Sequence, residues 1–578
     1  MATGRCREFV IEDGGGMLAR RIATALEPRY SIAQETRRRE RQVWLDTFDW
    51  RLHSAGLVLR QLSTGSGRGG HSMGVTGSRP SAELVLTTDA GEQVASAPLG
   101  SPRWPALLDA IPAGALRDRL DPVAGVRALL PLARAEGTMT LFRVLDGEHK
   151  TVARLRLEVA SLAQPVGGTL PARLVLTPVR GYQPDTDRAA RLLAAADGLV
   201  PGSRSVFQAV LANTGRQPGD YRDKVAVTLP APAPARAAVA GVLLGLADTI
   251  EANVGYVIRD VDIEFLHDLR VAVRRTRSAL KLAGDVLPRD LAARFAPEFK
   301  WLGDLTTPTR DLDVNLAGFG DLAGRLRAAA PADLEPLRVQ LAQRRVTERR
   351  KLLRGLRSAR FAELMTAWRA ALDDAAAARP RRGRHQGPDA GTVAADRIGR
   401  AYRRVVKRGA AISAAGTAGG PPAEDMHSLR KRCKELRYLL EFFGSLYEPA
   451  ALRRAVKDLK GLQDCLGEFQ DAQVQRDEIR EFATQMLTQR ATQGTRRHHR
   501  PAPPGPGELA AAPRRWQPAP AGPGAGELAA TLLAMGELTA RLDAQQRRAR
   551  AEVAGRFGEF AEAGVLRTLG IGGRAAMS

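Results

Sequence analysis

One stretch of the sequence concentrates groups that bind anions. The run HDLRVAVRRTR, residues 267–277, holds one histidine and four arginines in eleven positions. On a helix, with about 100° per residue, five cationic positions fall within one sector of roughly 80°: His267, Arg270, Arg274, Arg277 and Lys281. The adjoining sector is apolar. The sequence therefore predicts a helix whose cationic stripe borders its core-facing side.

This arrangement favours an anion-binding site over a solvated charged face. A solvated face usually mixes signs and lies away from the core, whereas this stripe has no acid between Asp268 and Asp285. Like charges one turn apart repel by a few tenths of a kcal/mol per pair, and a bound anion removes that cost. Arginine also grips phosphate oxygens with two hydrogen bonds, and a polyanion favours protonated histidine.

The same pattern recurs 160 residues later without a gap, so that 267–314 aligns with 427–474. The second copy supplies four equivalents of the stripe: His427, Arg430, Lys434 and Arg437. Glu441 stands where the first copy has Lys281, and Lys300 falls on Lys460. We interpret the region as two copies of one helical bundle.

Two further segments, 344–354 and 400–408, are basic and helical in pattern. Four side chains of the second share a face: Arg400, Arg403, Arg404 and Lys407. Several such helices around one bundle would form a channel for a long linear anion. The acids of RDLDV, 310–314, are interpreted as capping or pairing groups, and no metal site is predicted.

The composition agrees with a polyanionic partner. Lys and Arg exceed Asp and Glu by 87 to 63, a formal charge of +24, over 578 residues that suggest two or three domains. Aromatic residues are only 5%, and the basic helices carry almost none on their charged faces, so a nucleic-acid partner remains an alternative but is disfavoured. Three cysteines without a CxxC and no long apolar run predict a cytoplasmic protein without a membrane partner.

The elements change character along the chain. Residues 1–225 read as mixed β structure, with seven strand-like runs: Glu8–Glu12, Arg41–Leu45, Gly56–Leu62, Ala82–Thr87, Thr138–Leu145, Lys150–Ala160 and Ala172–Thr177. Helices are predicted at Met17–Leu26 and Asp185–Leu199, and a Gly/Ser loop at 63–81. A Pro/Ala linker at 226–236 precedes an all-helical region, interrupted by a loop at 375–391 and a disordered insertion at 490–526.

The helical region resembles the CHAD domain family. The resemblance rests on HDLRVAVRRTRSAL, LTTPTRDLDV, MHSLRKRCKELRYLLEFF and LQDCLGEFQDAQV, and it extends over about residues 237–565. It implies two pseudo-symmetric four-helix bundles, at about 237–375 and 392–565, around a basic channel that binds inorganic polyphosphate. The implied channel residues are the stripes named above with Lys300 and Lys460, and the implied location is the polyphosphate granule.

The first 225 residues resemble the CYTH domain of the triphosphate tunnel metalloenzymes, through LDTFDWRLHSAGLVLRQ, 45–61. That family implies an antiparallel β-barrel whose lumen binds triphosphate and Mg²⁺ or Mn²⁺. The sequence departs from the pattern, since Val10 and Leu62 replace expected charged residues and only Glu8 and Glu158 remain in acidic positions. Two-metal chemistry needs several converging carboxylates. We therefore expect a degenerate barrel without triphosphatase activity, with a metal-dependent triphosphatase as the alternative. The sequence leaves the oligomeric state open.

Overall fold

The computed structural model describes residues 7–11, 18–65, 82–89, 91–100, 103–164, 170–202, 206–221, 234–377, 388–414, 420–498 and 525–571. Contacts within the chain divide it into two compact units. The sheet unit comprises residues 1–223 with 260–264, and the helical unit comprises 224–259 with 265–578.

Nine strands are formed by the described residues of the sheet unit, and every pairing between them is antiparallel. The strands are β1 (Arg7–Ile11), β2 (Ser31–Asp46), β3 (Leu57–Gly65), β4 (Ala82–Thr88), β5 (Gln93–Leu99), β6 (Leu130–Leu145), β7 (Thr151–Gln164), β8 (Ala172–Pro178) and β9 (Leu199–Pro201). Their order is β5-β4-β3-β2-β6-β7-β8-β1-β9.

The expectation of a closed barrel is wrong for the part of the sheet that the structure describes. Closure requires hydrogen bonds between the two edge strands, but β5 pairs with β4 and β9 with β1, not with each other. The strand β9 is three residues long and has little backbone to offer a further partner. The unit is therefore an open antiparallel sheet.

The described residues of this unit form the α-helices α1 (Leu18–Leu26), α2 (Arg51–Ser54), α3 (Ala115–Ala124), α4 (Gln183–Ala194) and α5 (Val206–Thr214). Side chains alternate between the two faces of a strand, and in β7 Leu155 and Leu157 are buried in a core that includes Ile22 of α1 and Leu193 of α4. The intervening residues of β7, including Arg156 and Glu158, therefore point to the opposite face. This alternation places the charged residues of the sheet together on one side.

The helical unit contains α6 (Ala235–Arg259), α7 (Ile263–Ala283) except for its first two residues, α8 (Arg289–Ala317), α9 (Phe319–Ala323), α10 (Glu335–Leu356), α11 (Ala359–Ala377), α12 (Ala390–Ala414), α13 (Ala423–Phe442), α14 (Pro449–His498), α15 (Ala525–Ala563) and α16 (Val565–Thr568). Helices pack lengthwise in pairs: α6 with α11, α8 with α10, α12 with α13, and α14 with α15. The helical region predicted from the sequence is therefore present.

The sequence repeat has a counterpart in the helices. The helix α13 begins 160 residues after α7, and α14 begins 160 residues after α8. The short 3₁₀ turns that follow α7 and α13, Gly284–Val286 and Gly444–Leu446, keep the same spacing. The 160-residue repeat thus relates α7 to α13 and α8 to α14.

The helix α6 is long and apolar enough, by length and composition, to cross a membrane, although no membrane span was expected. Within the helical unit, 56% of its most apolar segment is buried. Val239, Leu243 and Ile250 are fully buried, so this helix behaves as a core helix that packs against α11 and α12.

Four sequence predictions fall wholly or mostly outside the described residues. They are the loop at 63–81, the linker at 226–236, the loop at 375–391 and the insertion at 490–526. The last two residues of the predicted linker, Ala235 and Arg236, belong to α6, and α14 continues to His498.

Candidate functional site

The two cationic helices α7 and α13 are joined by two ion pairs. Arg275 lies 2.9 Å from Glu441, and the Lys281 Nζ lies 2.6 Å from Glu435. In the 160-residue register, position 275 corresponds to 435 and 281 to 441. The two pairs are therefore one reciprocal contact, as expected across a two-fold axis. This contact explains why Glu441 departs from the first copy: it provides the anion for Arg275.

A cavity of about 300 Å³, the α7/α13 cavity, opens between these helices. Its walls are Arg274, Ser278, Lys281, Leu282, His427, Arg430, Lys431, Lys434, Glu435 and Tyr438. The Arg274 guanidinium lies 5.8 Å from the centroid of the Tyr438 ring, a cation–π contact between the two copies.

A second cavity of about 440 Å³, the α12 cavity, shares Lys281 and Leu282 with the first. Its other wall residues are Arg397, Arg400, Arg403, Arg404, Lys407 and Leu439. We call the two cavities together the basic trough. Its walls hold ten lysines and arginines and, among the described residues, a single carboxylate, Glu435.

Four of the ten wall cations form ion pairs: Lys281 with Glu435, Arg397 with Asp285, Arg400 with Asp396, and Arg430 with Asp471. Across the described ranges, no ion pair is formed by the other six, which are Arg274, Arg403, Arg404, Lys407, Lys431 and Lys434. The trough therefore carries a net positive charge that its own carboxylates do not cancel.

Burial and this excess of positive charge together lower the pKa of Lys434. Burial, followed by the charges of Arg430 and Arg274, lowers the pKa of Lys434 to about 8, and the charge of Asp471 opposes the shift only in part. Burial also lowers the pKa of Arg270, with a further contribution from Arg274. A bound anion would relieve both effects because it stabilises the charged forms.

Glu435, the carboxylate in the trough walls, forms an ion pair with Lys281. Burial alone would raise the pKa of this carboxyl, but the hydrogen bond and charge of Lys281, with the charges of Arg432 and Arg404, hold the pKa below its ordinary value. Glu435 is therefore an anion in the folded protein and fixes Lys281 at the junction of the two cavities.

The trough walls contain nine of the residues that the sequence predicted for the site: Arg274, Lys281, Arg400, Arg403, Arg404, Lys407, His427, Arg430 and Lys434. Arg270 lies behind this wall, against α8, with its Nε 3.3 Å from Thr307 and its guanidinium 3.6 Å from Asp311. The equivalent contact in the second copy joins Arg430 to Asp471 at 3.5 Å. The repeat thus preserves an arginine–aspartate contact in both copies.

Five other predicted residues are outside the trough walls: His267, Arg277, Lys300, Arg437 and Lys460. Arg277 crosses α8 at Gly303, where an added Cβ would lie 2.7 Å from its Nη1. Arg437 donates to Glu441 at 2.8 Å and to Gln463 at 3.2 Å.

Lys300 pairs with Asp304 at 2.9 Å, Lys460 is exposed on α14, and His267 is half-buried on α7.

Four wall residues were not predicted from the sequence: Arg397, Lys431, Ser278 and Tyr438. A signal existed for Arg397, because it continues the helical spacing of Arg400, Arg404 and Lys407 by one turn. Lys431 adjoins Arg430 in sequence but lies about 100° from it around the helix, so the stripe did not include it.

The sheet unit carries a second set of charges. Arg173 contacts Glu8 and lies 3.8 Å from Glu158, which also lies 2.7 Å from Arg156. Burial lowers the pKa of Arg60, while the charges of Glu158 and Glu40 oppose that shift. Guanidinium groups thus contact the carboxylates of Glu8 and Glu158, and the described residues contain no group of three or more His, Cys, Asp or Glu side chains close enough to hold a metal. This donor set does not fit a Mg²⁺ or Mn²⁺ centre.

Comparisons with known proteins cover mainly the helical unit. The CHAD domain family model matches residues 241–480, and no curated protein matches the chain. The crystal structure of the CHAD domain from the plant Ricinus communis is similar, with 25% identity, 58% of this chain and 95% of that chain covered, and a TM-score of 0.43. PptA from Streptomyces chartreusis is 19% identical, with 57% and 99% covered and a TM-score of 0.37. The matched residues include every wall residue of the trough, so the trough lies in the part of the chain that is similar to the CHAD domain family.

Proposed function

We propose that this protein binds inorganic polyphosphate in the basic trough and that its sheet unit has no triphosphatase activity. One observation carries the proposal: among the residues that the structure describes, ten cations and a single carboxylate line two cavities that share Lys281. Two adjacent cavities that share wall residues suit a chain of phosphates better than one isolated phosphate. The CHAD family match supports the same ligand.

The chemistry of the walls favours phosphate over nucleobases. Nucleic-acid binders of single strands offer aromatic rings on which bases stack. Among the described wall residues the one Phe, Tyr or Trp side chain is Tyr438, and its ring already lies beneath Arg274. The guanidinium groups instead offer paired hydrogen bonds to phosphate oxygens.

The test removes four cations of the α7/α13 region together by changing Arg270, Arg274, Arg430 and Lys434 to alanine. We expect retention of long-chain polyphosphate to fall at least about a hundredfold. With fewer protein cations, binding releases fewer counterions from the polyphosphate and is less favourable. Helicity should remain, since the acids left behind, Asp311 and Asp471, are at least half exposed and stay solvated. Retention is measured by filter binding and helicity by circular dichroism.

A matched variant controls for net charge. It removes four exposed arginines of the same unit that are outside the trough walls: Arg453, Arg454, Arg547 and Arg548. This variant should retain polyphosphate with a much smaller loss. Equal loss in both variants would show that net charge, and not the trough, holds the ligand.

Two assays separate the alternatives. Phosphate release from tripolyphosphate with Mg²⁺ or Mn²⁺, abolished by changes at Glu8 and Glu158, would establish a triphosphatase instead. Displacement of polyphosphate by duplex or single-stranded nucleic acid at equal phosphate concentration would establish a nucleic-acid binder.

The proposal extends to organisation and location. We propose a degenerate CYTH-like domain at 1–225 and two four-helix bundles within 237–565. We also propose that the protein accompanies cytoplasmic polyphosphate granules. Fluorescence microscopy of the tagged full chain tests the location, and a diffuse signal in cells that contain granules would contradict it.

A further inference from the structure

Lys434 differs from its repeat counterpart in a way that changes its chemistry. The chain contains only ten lysines, and the first copy has Arg274 at the position equivalent to Lys434. A guanidinium stays protonated in proteins, whereas an amine can lose its proton and act as a nucleophile. The α7/α13 cavity thus pairs a permanent cation from one copy with a titratable amine from the other.

The surroundings of Lys434 are mainly cationic. It is half-buried in the cavity wall. The charged and titratable groups around it come from three helices: Arg270, Arg274 and Lys281 from α7, His427, Arg430, Lys431, Glu435 and Tyr438 from its own helix, and Asp471 from α14. The cations outnumber the carboxylates, and Glu435 is already held by Lys281.

This environment makes the amine reactive near neutral pH. With a pKa of about 8, against 10.5 for an ordinary lysine, about a quarter of Lys434 is neutral at pH 7.5, compared with about one part in a thousand. A lower pKa also reduces the intrinsic nucleophilicity of the amine, so the gain in rate over an exposed lysine is smaller than the gain in neutral fraction.

We propose that Lys434 is a site of acylation by small acyl phosphates, which the arginines of the α7/α13 cavity bind through the phosphate group. The neutral Nζ attacks the acyl carbonyl carbon, the bond from that carbon to the phosphate oxygen breaks, and phosphate leaves with the electron pair. The amine gives up a proton to solvent, and the product is an amide. Arg274 and Arg430 neutralise the phosphate as it leaves, so binding and reaction use the same groups.

The amide removes one positive charge from the trough. If the trough binds polyphosphate, a consequence that rests on the proposed function, acylation weakens that binding and bound polyphosphate protects Lys434. Metabolic acyl phosphates would then compete with polyphosphate for one cavity.

The test treats the full chain with acetyl phosphate at pH 8 and measures acetylation of every lysine by mass spectrometry. Lys457, exposed on α14 and outside the trough walls, is the internal control. We expect Lys434 to react at least tenfold faster than Lys457, with half its limiting rate near pH 8. Equal rates at the two lysines would overturn the proposal.

A neutral reagent separates phosphate recognition from reactivity of the amine. With acetic anhydride the preference for Lys434 over Lys457 should fall at least threefold, because the arginines have no anion to hold. The double variant R274A/R430A should lose the preference for acetyl phosphate while keeping its helicity. A preference that is the same with both reagents would exclude recognition of the phosphate group.

Repeating the acetylation with long-chain polyphosphate present tests this inference separately from the proposed function. Selective acetylation that polyphosphate blocks at Lys434 but not at Lys457 supports both. Selective acetylation without such protection, in a protein that fails to retain polyphosphate, rejects the proposed function and keeps the acylation site. If the protein retains polyphosphate but Lys434 is not acetylated selectively, the acylation site is rejected and the proposed function is kept.

Discussion

The basic trough and the charged face of the sheet are both rich in arginines, but they differ in how far carboxylates compensate the positive charge. In the sheet, antiparallel pairing sets Glu158 directly opposite Arg173, and Arg173 also contacts Glu8. In the trough, six of ten cations form no ion pair among the described residues, and Lys434 has a lowered pKa. A count of arginines is thus a poor guide to anion binding, which depends on positive charge left uncompensated.

The largest expected difference between the two regions is in how much the loss of one arginine destabilises the sheet unit. Changing Arg173 to alanine leaves the carboxylates of Glu8 and Glu158 without their shared partner, and the Glu158 side chain is only 11% exposed. We expect the sheet unit to lose about 2–3 kcal/mol in free energy of unfolding, while polyphosphate retention is unchanged. Urea unfolding followed by tryptophan fluorescence measures the loss.

Arg154 supplies the control for that experiment, because it is exposed on the same strand as Arg156. Its change to alanine should alter stability by less than about 0.5 kcal/mol. Loss of polyphosphate retention in the Arg173 variant would show that the sheet, too, presents uncompensated charge.

The next effect is on the pH dependence of polyphosphate binding. In the free protein Lys434 loses its proton as pH rises through about 8, and a bound polyanion favours the protonated amine. Affinity should therefore fall about fivefold between pH 7 and pH 9, the equivalent of about 1 kcal/mol for one nearby charge. Fluorescence titration across this range measures it, and K434R should remove most of the slope.

The same titration has the opposite effect on the stability of the free protein, which increases as pH rises. The unfolded chain binds a proton at this lysine up to about pH 10.5, whereas the folded protein releases it near 8. The contribution of Lys434 to the free energy of unfolding therefore rises between those two values. A wild-type affinity that is flat from pH 7 to 9 would contradict the picture of an electrostatically strained trough.

The smallest effect tests the reciprocal contact between α7 and α13. E441K restores the residue of the first copy but places lysine against Arg275, and we expect a loss of about 1 kcal/mol in stability. The double variant R275E/E441K reverses the pair and should recover most of that loss, as a double-mutant cycle by urea unfolding would show. Additive losses would mean that the two side chains do not interact in solution.

The sequence predicted those parts of the site that depend on one helix. Helical periodicity was enough to place Arg274 and Lys281 on one stripe and Arg430 and Lys434 on the other, and the repeat related the two stripes. It did not show how helices cross, so it grouped Arg277 and Arg437 with the stripe although they turn toward Gly303 and Gln463. That information resides in packing between helices.

The sheet shows a similar division. The seven predicted strands are present, since clear apolar alternation or apolar runs marked them. The strands β5 and β9 were missed because QVASAPL is small and weakly apolar and LVP is only three residues long. Closure could not be judged from the sequence, because it depends on edge strands that carry little signal of their own.

The ion pairs between α7 and α13 also govern which halves of the protein can associate. The first copy carries cations at both positions of the contact, Arg275 and Lys281, and the second carries carboxylates at both, Glu435 and Glu441. Two first copies brought face to face would set cation against cation, and two second copies would set anion against anion. The divergence of the repeats thus disfavours like-with-like assembly between neighbouring molecules and directs each half to its unlike companion.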